Sequence, residues 1–162
     1  TVDAELAKML SYFGESDASV NLKAKAAFAA GLNPIIACGE LLSEREVGKT
    51  DAVITGQMKT CLDGFTKDQA MKMVIAYEPV WAIGTGEVCD SPEADRVCGL
   101  IRSIVKEMYG ADVADAVRIQ YGCSVKPDNA AELLGKENID GALVGGAALK
   151  AADFVEIIRA AR

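Results

Sequence analysis

The chain contains no histidine among its 162 residues. That absence removes Ser-His-Asp and Cys-His catalysis and all imidazole metal sites. Positive charge is also scarce: 17 lysines and arginines face 24 aspartates and glutamates, giving a net charge of −7. No basic surface is therefore expected, and neither nucleic acid nor an anionic membrane is an expected partner. No apolar run reaches the roughly 18 residues of a membrane span. The first residues carry Asp3 and Glu5 and lack a basic stretch, so no secretory leader is expected. The five cysteines (Cys38, Cys61, Cys89, Cys98, Cys123) are odd in number and form no C-x-x-C pair. They read as reduced thiols of a cytoplasmic protein rather than a disulfide framework. No metal and no cofactor is implied. A phosphate ligand stays open, because backbone N–H groups bind anions without net positive charge.

What is present is an alternation of helical and strand patterns. Leu6, Met9, Leu10 and Phe13 have helical spacing. A second helix is predicted after Ser16, with Val20, Ala24, Ala27 and Phe28 on one face and Gly31 as its stop. "NPIIACGE" reads as a buried strand. "SERE" at 43–46 has the form of a capping box. Ile54, Met58, Cys61, Leu62 and Phe65 predict a longer helix, and "KMVIAY" the next strand. Ser91 and Pro92 read as N-cap and first residue of a helix that buries Val97, Leu100, Ile101, Ile104, Val105 and Met108. "VRIQYG" and "GALVGG" supply two more strands, each followed by a short helix, one after Asp128 and one after Ala151. The fold class is α/β, with four parallel strands and helices outside. The chain is read as one domain over 1–162, with an N-terminal helical segment over 1–30.

In parallel sheets ligands sit beyond the strand C-termini. Those ends here read "CGE", "YEPVWAIGTG", "YGCS" and "VGGA". Glu78 closes the most apolar run of the chain and is followed by Pro79, with Gly84 and Gly86 beyond. Taken alone, Glu78 reads first as an ordinary loop carboxylate forming a surface pair. Large apolar Trp81 and Ile83 in such a loop suit a lid that closes over a ligand and excludes water. Gly122, Gly145 and Gly146 permit close approach of backbone to an anion, although glycine also serves tight turns. Together, on neighbouring strand ends, they suggest a phosphate site, as in the loops after the last two strands of a (β/α) barrel.

The segment "AYEPVWAIGTG" resembles the catalytic loop of the triosephosphate isomerase family. "CGELLSEREVGKT", "YGCSVKPDNAAELL" and "IDGALVGGAAL" resemble the stretches around that family's fifth, seventh and eighth strands. "FGESD" and "KAKAAFAAGL" resemble the helix before the fifth. The similarity runs over about residues 12–162 and implies half of a (β/α)8 TIM barrel. It implies Glu78 as general base in interconverting glyceraldehyde 3-phosphate and dihydroxyacetone phosphate, a step of glycolysis and gluconeogenesis. It also implies Gly84, Ser124, Gly145 and Gly146 as phosphate-binding residues and Pro79, Val80, Trp81, Ala82, Ile83, Thr85 and Gly86 as the lid. Tyr121 would be the lid's latch. The family's lysine after the first strand and histidine after the fourth have no counterpart, so weak or no activity is expected of this chain alone. Lys49, Lys126 and Gln120 are the candidates for a replacement electrophile.

Cys123 departs from the family's usual glycine, and strain is expected there if that position requires φ > 0. Four curved strands also leave two edges and a concave face open. Closure by a second copy is expected, with cover by the N-terminal helix as the alternative. The residues leave another reading of function open: a half barrel that holds a phosphorylated ligand, or self-assembles, without turnover.

Overall fold

The computed structural model describes residues 14–83, 85 and 87–161. The helix expected at Leu6–Phe13 lies outside these. Helix α1 spans Asp17–Ala29. Ser16 caps it: its hydroxyl accepts from the Ser19 N–H, and the Ser19 hydroxyl accepts from the Ser16 N–H. Gly31, with φ 77°, turns the chain out of the helix. Strand β1 follows at Ile35–Cys38, then α2 at Leu42–Arg45, α3 at Thr50–Cys61 and α4 at Lys67–Lys72. Strand β2 is Val74–Tyr77, followed by a 3-10 turn at Val80–Ala82. The long α5 covers Ser91–Tyr109, and Gly110 (φ 101°) swings the chain into α6, Ala111–Ala116. Strand β3 is Arg118–Tyr121, α7 is Pro127–Leu134, β4 is Gly141–Ala142 and α8 is Ala151–Ala160.

The strands form one parallel sheet in the order β1-β2-β3-β4. Register places Ile36, Ile75 and Ile119 in one row and Cys38, Tyr77 and Tyr121 in the next. All six are buried, packed on Ile54 and Met58 of α3 and Val97, Ile101 and Val105 of α5. The opposite face carries Ile35, Ala37, Arg118 and Gln120, and Ile35 is 52% exposed. The helices thus cover one side of the sheet, as in half of a barrel wall. Beta3 alternates apolar and polar residues because only one of its faces meets the core.

Several boundaries differ from expectation by a residue or two, each for a local reason. The helix after β1 begins at Leu42, so it is the Glu44 carboxylate that accepts from the Leu41 N–H, at 2.8 Å. Ser43 lies inside the helix and is not its cap. The cap of α5 is Asp90, whose carboxylate accepts from the Glu93 N–H at 2.8 Å. Ser91 is buried and donates to Glu132 on the neighbouring α7 region instead. Phe65 packs in the core beyond the end of α3 rather than within it. Helices α4 and α6 carry too few residues to show a period in sequence.

Beta4 has two residues, far shorter than "GALVGG" suggests. Its register is clamped by Asp140. The Asp140 N–H donates to the Ile119 carbonyl at 2.8 Å, and its carboxylate accepts from the Ile119 N–H at 2.7 Å. The same carboxylate receives Arg102 at 2.6 Å, and Arg102 also donates to the carbonyls of Ala114 and Val117. One side chain therefore joins β3, β4, α5 and α6. Replacing Asp140→Ala leaves the Ile119 amide without its acceptor and removes the carboxylate partner of the part-buried Arg102 guanidinium. A loss of about 1–3 kcal/mol in urea unfolding is expected, with faster amide exchange at Ile119.

Candidate functional site

All four strands point their C-termini to the same rim. There a cavity of about 440 Å³ opens between the loops after β2, β3 and β4. Its wall includes Glu78, Ala82, Ile83, the run 122–126 and the run 143–147. Glu78, Ile83, Ser124, Gly145 and Gly146, picked out separately along the chain, therefore meet in one place. Gly84 and Gly86 lie outside the described residues.

Glu78 extends the sheet by one residue: its N–H donates to the Cys38 carbonyl at 2.7 Å. Two glycines make its seat. A Cβ at Gly39 would overlap the Glu78 carbonyl, and one at Gly122 would stand 2.8 Å from both Cγ and Oε1 of Glu78. These positions tolerate no side chain while Glu78 keeps its place. Burial raises the Glu78 pKa above the ordinary carboxylate value. Among the described residues no attracting partner offsets that rise, so the group is a desolvated carboxylate of raised proton affinity facing a cavity.

The turn that follows Glu78 is held very differently. Glu40, fully buried, accepts from the Trp81 indole N–H at 2.9 Å and from the Tyr77 hydroxyl at 3.2 Å. Its own carbonyl accepts from the Val80 N–H at 3.1 Å. Arg45 lies 3.6 Å from the Glu40 carboxylate, stacks over the Trp81 ring at 4.4 Å and pairs with Glu93 at 3.1 Å. Thr85 donates to the Trp81 carbonyl at 2.9 Å. Glu40, Arg45 and Gly39 were missed as site residues. The one available sign was the "CGE" at a strand end.

The loop after β3 is shaped by Asn129, also missed. Its amide donates to the Ser124 carbonyl at 2.7 Å, and its side-chain oxygen accepts from the Lys126 N–H at 2.8 Å. Cys123 sits without backbone strain, since no described residue other than glycine has positive φ. The expected penalty is absent because this turn keeps φ negative. Its thiol donates to the Ala82 carbonyl at 3.0 Å, a tie from this loop to the lid base that glycine lacks. A Cβ at Gly145 or Gly146 would meet nothing within 4 Å, so their backbone faces open space. The Tyr121 hydroxyl is buried and has no hydrogen-bond partner among the described residues. Of the three candidate electrophiles, Lys126 lines the cavity, whereas Lys49 and Gln120 do not. Among the described residues no cluster of three or more acidic or cysteine side chains could hold a metal.

Comparison with known proteins fits this arrangement. The family described as Triosephosphate isomerase matches residues 10–161. The chain is 56% identical over 147 residues to the triosephosphate isomerase of Clostridium perfringens, covering 91% of this chain and 59% of that protein. It is 53% identical over 147 residues to the enzyme of Lactococcus lactis subsp. cremoris, covering 91% and 58%. With that of Acetivibrio thermocellus it shares 54% over 148 residues, covering 91% and 59%. The chain belongs to the triosephosphate isomerase family, and it spans under two thirds of the length of these relatives.

The seat of Glu78 yields two expectations. Gly39→Ala should lower stability by at least about 2 kcal/mol, because backbone must move. Gly122→Ala should cost about 1 kcal/mol, since the Glu78 side chain can swing aside; paired urea titrations decide the order. The raised pKa also fixes a sign. Between the unfolded carboxylate pKa, about 4.3, and the higher folded value, the folded chain holds a proton that the unfolded chain has lost. Stability therefore falls as pH rises through that window. Glu78→Gln should show no such fall, and so gain on the parent toward neutral pH, as read from urea midpoints across a pH series.

Proposed function

We propose that Glu78 is the general base of a triose phosphate isomerisation, interconverting glyceraldehyde 3-phosphate and dihydroxyacetone phosphate. What supports this reading is one juxtaposition: the desolvated Glu78 carboxylate shares its cavity with Ser124, Gly145 and Gly146. A substrate whose phosphate rests on the backbone of those loops brings the carbon next to its carbonyl toward the carboxylate. Glu78 takes the proton from that carbon, leaving an enediolate, and returns it to the neighbouring carbon, while the hydroxyl proton passes from the first carbon's oxygen to the second's so that the carbonyl changes place. Burial strengthens the base, and a lid over the cavity strengthens it further by removing water.

Pro79 and the turn Val80–Ala82, fixed to Glu40, form the rigid end of that lid. Gly84 completes the phosphate site by family resemblance. The latch role of Tyr121 comes from family resemblance; in its support, the Tyr121 hydroxyl is buried and has no hydrogen-bond partner among the described residues. The chain has no histidine to polarise the carbonyl, so turnover by this chain alone is slow. The five unbridged cysteines suit a reducing cytoplasm.

Proton abstraction is measured most sensitively in D2O. Dihydroxyacetone phosphate incubated with the protein should gain deuterium, seen by NMR. Glu78→Gln should reduce that exchange by roughly 10²-fold or more. Absence of exchange in the parent, or equal exchange in both, would overturn the catalytic role.

The sheet argues for a second copy as partner. Among the described residues β1 and β4 are both edge strands. Ile35 beside one edge is 52% exposed, and Phe154 and Ile158 on α8 beside the other are 38% and 54% exposed. Edges of opposite hand on one chain can pair reciprocally, and two four-stranded sheets make the eight strands at which a barrel closes. A homodimer is expected in sedimentation at micromolar concentration; a clean monomer there would sink the pairing.

A further inference from the structure

The cavity around Glu78 has an uneven set of charges. Among the described residues that line it, Glu78 is the one anion and Lys126 the one cation. A phosphate monoester carrying roughly −2 must enter beside that carboxylate, on a chain of net charge −7. Backbone N–H groups grip an anion at contact distance, but they carry no net charge and attract little from afar. A cation at the mouth is needed to offset the repulsion.

Lys126 is placed for this. It follows Ser124 by two residues and is exposed. Asn129 pins its backbone N–H at 2.8 Å, which fixes where the side chain starts. No salt bridge occupies its ammonium among the described residues, whereas Arg45, Arg96 and Arg102 are all engaged. A second cavity of about 530 Å³ adjoins the first and shares Lys126, Gly146 and Ala147 with it. Lys126 thus stands on the wall between the Glu78 cavity and the outer surface. Lys150 lines the outer cavity alone, in company with Asp128 and Asp153.

We infer that Lys126 is the phosphate-attracting residue of this site, drawing the dianion to the Ser124 and Gly145–Gly146 loops from the cavity mouth. The inference rests on the phosphate reading of those loops. It gives Lys126 a binding role in place of the electrophilic one considered from sequence.

The test is binding of inorganic phosphate, followed by calorimetry and by the fluorescence of Trp81, the one tryptophan in the chain. Parent, Lys126→Gln, Lys126→Arg and Lys150→Gln are titrated at low and at raised ionic strength, with circular dichroism confirming the fold of each. Lys126→Gln should weaken phosphate binding roughly three- to tenfold at low salt and flatten its salt dependence. Lys126→Arg should restore both, and Lys150→Gln should stay within about twofold of the parent. Equal affinity in the parent and Lys126→Gln overturns the inference while leaving the phosphate loops standing. So does an equal loss in Lys126→Gln and Lys150→Gln, which would be a general surface-charge effect. A parent that binds no phosphate overturns the loops' reading and this one together.

Discussion

The buried Glu40 carboxylate is the interaction on which the rim of the sheet depends. Removing a carboxylate from water costs several kcal/mol unless donors replace its hydration. Glu40 meets that demand with the Tyr77 hydroxyl, the Trp81 indole and the neighbouring Arg45. Each donor comes from a different part of the fold: the end of β2, the lid base and the short α2. Satisfying the charge therefore fixes all three relative to the end of β1. Arg45 carries the link onward to Glu93 in α5 and stacks on Trp81. The turn Val80–Ala82 is held in place because the buried Glu40 carboxylate would otherwise lose the Trp81 donor.

Glu78 is the counterpart. It lies one strand over, at the equivalent rim, and its environment is the reverse. Glu40 is surrounded by donors. Glu78 is surrounded by glycine backbone, and burial alone acts on its pKa. The first arrangement ties a carboxylate into the fold and makes it structural. The second disfavours ionisation and makes the group ready to take a proton. Gly39 and Gly122 serve this by what they omit: the missing Cβ atoms allow close backbone approach while offering no polar group to quiet the base.

How much of this was legible in sequence depends on the range of the forces involved. The four strands and long helices showed because burial imposes a period, as with Val97, Ile101, Ile104 and Val105 on α5. Boundaries were less legible because neighbouring residues compete to cap a helix. Asp90 won over Ser91 because the serine hydroxyl is drawn to Glu132, a contact 41 residues away. Beta4 was overread because "LV" at 143–144 looks like strand but belongs to the cavity wall. At the site, the "YEPVWAIGTG" loop and the paired glycines were visible as composition. Glu40, Gly39 and Asn129 were not, since their roles arise from loops brought together in space. The strain expected at Cys123 failed for a related reason: a glycine in a relative does not prove that a position needs positive φ.

Assembly and base strength are coupled through water. The pKa of Glu78 is raised by desolvation and by nothing else identified at the site. On the sheet face opposite the helices, Ile35 and Ala37 of β1 are exposed, whereas Ala76 of β2 is buried. Anything that covers that face excludes water from the strand ends as well as from the apolar residues. The energy gained by burying Ile35 and its neighbours would then also hold Glu78 in a drier setting, with greater proton affinity. Cover on that face would therefore act on Glu78 in the same direction as the burial already present, raising its proton affinity further. Between the unfolded and folded pKa values, the stability this costs as pH rises would be set against the apolar area buried at the same step.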